Sequence, residues 1–450
     1  MSSLDFEIEW IETGRVRAEE LKATWASLKI TVDGRPITRV FDKQLNSVRE
    51  HLFVPTYPLA EWIAFNWWNL FYECFSDARA RNYPQRHNLR FGREGFALPN
   101  LQISPKDDLV FVQWSEQQDD TANLEYLTRG SAHIERVALE AAFRRIVEAT
   151  LQRLHDCGVD ESPLEEEWRA IEDADPAETE FCVAAAALGL NPYEVTEPLS
   201  EEIIKAANLL PSEIRYEFLS VANADELRKQ ADNLSKTIER LTQAEAVHSY
   251  LADIKKETGT YTASVIPADA DAPWKEGYRC ARKLRDELSI DGKAFESMAD
   301  LLGVLQMHAA SEDLRGEQPE NAEPYDSLVV INKVNSAQFS VPKKREESRK
   351  FAFARALYEY LFTDLKAASL TTATTTSQQK RNRAFAAEFL APSAVLQRLV
   401  RTRAVSSDDV DELAGQLGVS YYVIANQLLN HGIVDTIAGH SEDIYIEGRE

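Results

Sequence analysis

Hydrophobic and polar positions alternate with a period of two through much of the first 120 residues, the pattern of strands with one buried face. LDFEIEWIE alternates along its length, and SLKITVDGRPITRVF divides at Asp33-Gly34 into the two arms of a hairpin. HLFVPTYPLAEWIAFNWWNLFYE predicts a strand followed by an aromatic-rich helix carrying Trp62, Trp67 and Trp68. LPNLQISPKDDLVFVQWSEQ predicts two more short strands. Tryptophans at helical spacing are read as core rather than as a ligand-stacking surface.

From about residue 121 to 256 the period becomes helical. Segment 131–156 is amphipathic, with Ser131 as a cap and Gly158 as the stop. A short acidic helix surrounds Trp168, and Pro176–Leu188 followed by Ser200–Leu209 has a helix-turn-helix rhythm. No Lys or Arg faces outward there before Lys205, which argues against DNA binding. Residues 223–256 predict one long, polar, partly solvated helix, and Thr258–Ala272 (TGTYTASVIPADADA) is the best linker candidate.

The stretch Lys350–Pro392 organises the rest. KFAFARALYEYLF places Phe351, Ala354, Leu357, Tyr358 and Leu361 on one helical face. A Ser/Thr-rich break, SLTTATTTSQQ, reads as a polar loop. KRNRAFAAEFLAP then repeats the pattern with Phe385, Ala386, Phe389 and Leu390 and stops at Pro392. Beyond it, Ser406 or Ser407 caps a helix, and Leu413–Ser420 forms the turn of a helix-turn-helix-like unit. Its second helix offers Tyr421, Tyr422, Asn426, Gln427 and Asn430 but no basic residue. Packing or protein binding is therefore favoured over base reading.

These segments resemble the ImmA/IrrE-like (M78-type) zinc peptidases. The lead-in Lys350–Ala354 and the exit Phe385–Pro392 carry the likeness. So do PWKEGYRCARKLRDELSID, FESMADLLGVLQMHA (a helix ending in a strand) and the strand pair in DSLVVINKVNSAQFSVPKKREESRK. The likeness spans about residues 273–435. It stops at the chemistry, for Arg355 stands where the first motif His belongs, Ala356 where the Glu belongs and Glu359 where the second His belongs. The candidate positions for the third ligand hold Gln379 and Arg381. Two His at i and i+4 with a third ligand hold zinc, and the Glu between them serves as general base. A permanent cation at 355 repels a divalent ion. Arg355 and Glu359 could form an i,i+4 ion pair in the volume of the zinc, or both could point into solvent.

Composition sharpens this picture. The chain has 450 residues and a formal charge of -24, which disfavours non-specific binding to nucleic acid or to an anionic membrane. Four widely spaced Cys without a C-x-x-C pair suggest reduced thiols in a cytoplasmic protein. The N-terminus lacks a basic-then-apolar signal, and Pro58–Phe75 is too interrupted by polar residues to span a bilayer. Eight His are scattered without an i,i+3 or i,i+4 pair, and His308 reads as an ordinary strand-end residue. No glycine-rich phosphate loop occurs. Against the acidic total, Lys343, Lys344, Arg345, Arg349 and Lys350, then Arg355, Lys380, Arg381 and Arg383, crowd the two organising helices. Their convergence would make an anion or partner site of Arg355, Lys380, Arg381 and Arg383; the plainer reading is a solvated rim.

The expected fold is α+β: a mixed N-terminal domain (1–120), a helical region (121–256), and a zincin-like ImmA/IrrE-type domain (273–450) with a helix-turn-helix-like tail. The resemblance implies a scaffold without catalytic residues, metal or cofactor. Such a chain would act by binding another protein, for example a helix-turn-helix regulator or a defence-system subunit, in stress response or phage defence. Two further classes remain open: a divergent zinc endopeptidase cleaving a helix-turn-helix repressor, and a ligand-gated DNA-binding regulator.

Overall fold

Period-two alternation does produce sheet at the start of the chain. In a computed structural model, which describes residues 2–14, 16–75, 81–106, 108–119, 122–262, 272–307, 314 and 323–438, the Leu4–Trp10 strand pairs antiparallel with Trp25–Val32. That strand turns through Asp33 and Gly34, both at positive φ, into Arg35–Pro36. Positive φ at both central residues matches the twist of the flanking strands and is cheapest at Gly. Leu52–Pro55 also pairs with Trp25–Val32. Two further antiparallel sheets follow, with strand orders 47–49, 40–42, 124–126, 117–119 and 130–135, 109–114, 101–106.

The described residues fall into two compact units, Met1–Ile204 and Lys205–Glu450. The division lies inside the Glu197–Leu209 helix. In the first unit the predicted aromatic helix is two, Tyr57–Phe65 and Trp67–Tyr72, broken at Asn66, whose side-chain amide donates to the Trp62 carbonyl at 2.8 Å. Trp67 and Trp68 are buried, and Trp67 meets Trp168 edge-on at 5.0 Å. Ser131 is not a helix cap: it lies in the Gly130–Glu135 strand opposite Gln113, and the helix begins at Arg136. Alternate burial of Ala132 and Ile134 holds those residues in the sheet.

In the second unit the expected long helix over 223–256 is interrupted. Leu227–Gln243 and Ser249–Thr262 are separate helices. The Asn332 side chain donates to the carbonyls of Ala244 (2.8 Å) and Ala246 (3.0 Å), and Gln338 donates to Ala246 (2.8 Å). These bonds satisfy backbone groups that a continuous helix would have used internally. Most of the predicted linker, and His308, lie outside the described residues; at the end of FESMADLLGVLQMHA, where a strand was expected, Leu305 and Gln306 form a turn.

Around the organising stretch, Ala337–Ser340, Ser327–Ile331 and Ala368–Thr371 form a three-stranded antiparallel sheet with Ser327–Ile331 in the centre. The Glu346–Phe362 helix packs against it and against the helices Ser249–Thr262, Met298–Val304 and Ser377–Leu390. Covered on so many sides, it is buried at every position from Ala352 to Phe362 rather than along one face. The Ser/Thr-rich break is correspondingly not a polar surface loop, since it contributes the buried strand Ala368–Thr371. The Trp274–Glu287 helix lies so close to Ser377–Leu390 that a Cβ on Gly277 would stand 2.2 Å from the Arg381 carbonyl oxygen. At the tail, Ser406 caps Ser407–Leu417 with Asp409 in a capping box, and Gly418 ends that helix in the left-handed region before Tyr421–Asn430. The fold is mixed α+β with several small antiparallel sheets, and no described helix is long and apolar enough to cross a membrane.

Candidate functional site

A guanidinium in the middle of a buried helix must find acceptors for up to five N–H groups. Arg355 is 2% exposed. Its Nη1 donates to Asp326, the residue before the central strand. Its Nη2 donates to the Thr372 carbonyl (2.7 Å) and to Gln379 Oε1 (2.5 Å), and Nε donates to Asn382 Oδ1 (2.7 Å). Asp326 also meets Lys343 Nζ at 2.5 Å. Burial raises the Asp326 carboxyl, but Arg355 and Lys343 outweigh it and hold the group below the usual Asp range.

One turn on, Glu359 is fully buried and makes no pair with Arg355. Its carboxylate accepts from Asn382 Nδ2 (2.8 Å), Gln378 Nε2 (2.6 Å) and Ser369 Oγ (3.2 Å). Burial pushes it up to about 7, with those three donors pulling the other way. Both sequence expectations for this couple are thereby corrected: the side chains neither pair with each other nor face solvent. Asn382 stands between them, accepting from the guanidinium and donating to the carboxylate, while Asp326 supplies the anion that Glu359 was expected to be.

A second buried carboxylate, invisible in the motif, braces the same loop. Glu217, on the Ser212–Leu219 helix, accepts from the hydroxyls of Thr372 (2.9 Å), Thr374 (3.1 Å) and Thr376 (3.2 Å). The alternation Thr-x-Thr-x-Thr was the only signal in the sequence: in extended backbone it turns three hydroxyls to one side. Thr376 also caps the Ser377–Leu390 helix through the Gln379 amide.

The remaining predicted positions separate. Ala356 is buried and carries no functional group. Arg381 turns away to Glu276 (2.9 Å). Lys380 and Arg383 line a cleft of about 640 Å³ together with Arg355, Lys343 and Asp326. The tail helix contributes Tyr422, Asn426, Gln427 and Asn430 to it, and the Trp274–Glu287 helix contributes Trp274 and Tyr278. Arg383 also donates to the Thr372 carbonyl at 2.9 Å, tying the cleft to the network below.

Zinc asks for three nitrogen, sulfur or anionic oxygen donors around one point. Here the network presents a guanidinium, two carboxylates (Asp326 and Glu359) on different partners and three amides, and the guanidinium occupies the centre; these residues do not fit the ion. Among the described residues no group of three His, Cys, Asp or Glu is gathered for a metal. Comparison with family models, with curated proteins and with solved structures finds no match to this chain.

Proposed function

We propose that the second unit is an ImmA/IrrE-like, zincin-type scaffold whose metal has been replaced by a side-chain network, and that it works by binding a partner protein rather than by hydrolysis. One observation carries the reading. Arg355 and Glu359, at the positions of the two motif histidines, and Gln379, at one of the two candidate positions for the third ligand, are joined by hydrogen bonds to each other's partners, while Arg381, at the other candidate position, pairs with Glu276. The order of elements among the described residues supports it too: helix, short helix, antiparallel strand pair, buried helix, strand, second helix, then a short helix (Ser393–Leu399) and strand (Ala404–Ser406) before a helical pair. A guanidinium with its acceptors satisfied is a stable filling for a volume that would otherwise hold a charged ion. The chain so read is a regulatory or sensor subunit of the cytoplasm, in stress response or phage defence, with a helix-turn-helix regulator or a defence-system protein as partner.

Rebuilding the motif tests the scaffold. The combined variant Arg355→His, Ala356→Glu, Glu359→His, Gln379→Glu is expected to bind about one zinc per chain by mass spectrometry of the native protein, the stoichiometry of a three-ligand site whose fourth position is left to water. A folded variant that takes up no zinc would remove the family reading.

A further inference from the structure

The cleft carries the opposite sign of charge from the chain around it. The whole chain has a net charge of -24, yet four cations, Lys343, Arg355, Lys380 and Arg383, line this cleft against two carboxylates, Asp326 and Glu347. Asp326 already lies between Lys343 and Arg355. Lys380 and Arg383 sit three residues apart on one face near the start of the Ser377–Leu390 helix, whose first turn has no acidic residue. Both side chains line the cleft, and Arg383 also donates to the Thr372 carbonyl.

The other lining groups say what the anion is attached to. Trp274, Tyr278 and Tyr422 bring aromatic rings to the same cleft, and Tyr422 is 61% exposed although large and apolar. Asn426 and Asn430 add side-chain amides, each able to donate and accept. Rings stack on planar groups, and amides read the edge of a heterocycle. About 640 Å³ falls within the range of small-molecule sites. The sequence has no glycine-rich loop to wrap a polyphosphate in backbone amides, so recognition by two side-chain cations suits a single phosphate.

We propose that this cleft binds a mononucleotide-like ligand, its phosphate held by Lys380 and Arg383 and its base against the rings of Trp274 and Tyr422. This deepens the reading of the unit as a sensor, and rests on it only in taking the cleft for a binding rather than a cleaving site. Isothermal titration of the full chain at low salt tests it, with the four ribonucleoside 5′-monophosphates, the matching nucleosides, inorganic phosphate and a short oligoglutamate peptide as probes. At least one monophosphate is expected to bind with a Kd below about 1 mM and about tenfold or more tighter than its nucleoside and than phosphate alone. Lys380→Glu with Arg383→Glu should weaken that binding at least about tenfold at unchanged fold, and Tyr422→Ala should weaken it without altering phosphate discrimination. Lys380→Gln keeps the test readable should the double variant fail to fold. No monophosphate binding, equal binding of phosphate alone, or indifference to the cleft substitutions would overturn the proposal. Tighter binding of oligoglutamate than of any nucleotide would overturn it in favour of an acidic peptide. Failure here leaves the zinc result for the rebuilt motif untouched, so the two readings fall separately.

Discussion

Replacing Arg355 by Leu would leave the Asp326 carboxylate, the Thr372 carbonyl, and the amide oxygens of Gln379 and Asn382 without their common donor. Removing one partner of a buried ion pair costs about 3–5 kcal/mol, much of it the desolvated charge left behind. Asp326 keeps Lys343 and its side chain is 21% exposed, so the lower end, about 3 kcal/mol, is the expectation. For a unit of this size each kcal/mol moves the melting temperature by about 2–4 °C, which gives a fall of about 6–12 °C. Differential scanning calorimetry of the full-length chain reads it. Arg381→Leu is the control: its pair with Glu276 is partly exposed (30% for Arg381) and should cost under about 1 kcal/mol. Replacing Asp326 as well, by Leu, should restore part of the loss because no unpaired carboxylate then remains. A fall no larger for Arg355→Leu than for Arg381→Leu would refute the network as the centre of the site.

Other outcomes follow from the same geometry. Glu359 is raised from 4.5 to about 7, so the folded chain holds a proton that the unfolded chain has lost between those values. Its contribution is complete below about pH 4.5 and is lost as pH rises through 7, and Glu359→Gln should flatten that part of a urea-stability profile. Glu388 behaves oppositely: burial would raise it, but His431, Arg282 and Ser393 hold it at about 2. Its contribution is present above the unfolded value and disappears as pH falls towards 2; in Glu388→Ala that acid limb should be missing. Gly277→Ala would force a Cβ to within 2.2 Å of the Arg381 carbonyl oxygen. Overpacking of this kind costs about 1–3 kcal/mol or more, visible as a lowered melting temperature or lost soluble expression.

What the sequence disclosed was mostly local. Asp33-Gly34, a cap at Ser406 or Ser407 and the turn over Leu413–Ser420 depend on backbone geometry that neighbouring residues dictate; the structure gives the cap to Ser406, with Asp409, and the left-handed stop to Gly418. The strand pair 327–331 and 337–340 was expected from the resemblance alone. Non-local partners were not. Asp326 reaches Arg355 across 29 positions, and Glu217 reaches the threonines across 155 to 159. An i,i+4 rule pointed Arg355 at Glu359, yet the fork of acceptors on strand and second helix outcompeted that neighbour. Ser131 misled because Ser caps helices and also sits comfortably on the exposed side of a strand. The cleft cations were visible as a crowd of charges; that Lys380 and Arg383 converge with Lys343 while Arg381 turns away depends on which face of one helix looks inward.

The central claim is that a guanidinium network stands where a catalytic metal would. The most direct measurement is the metal content of the purified full-length protein after equilibration with zinc and passage into metal-free buffer. The account predicts no more than trace zinc, indistinguishable between the native chain and Glu359→Ala. About one zinc per chain, abolished by Glu359→Ala, would mean that the region does hold an ion and would contradict it.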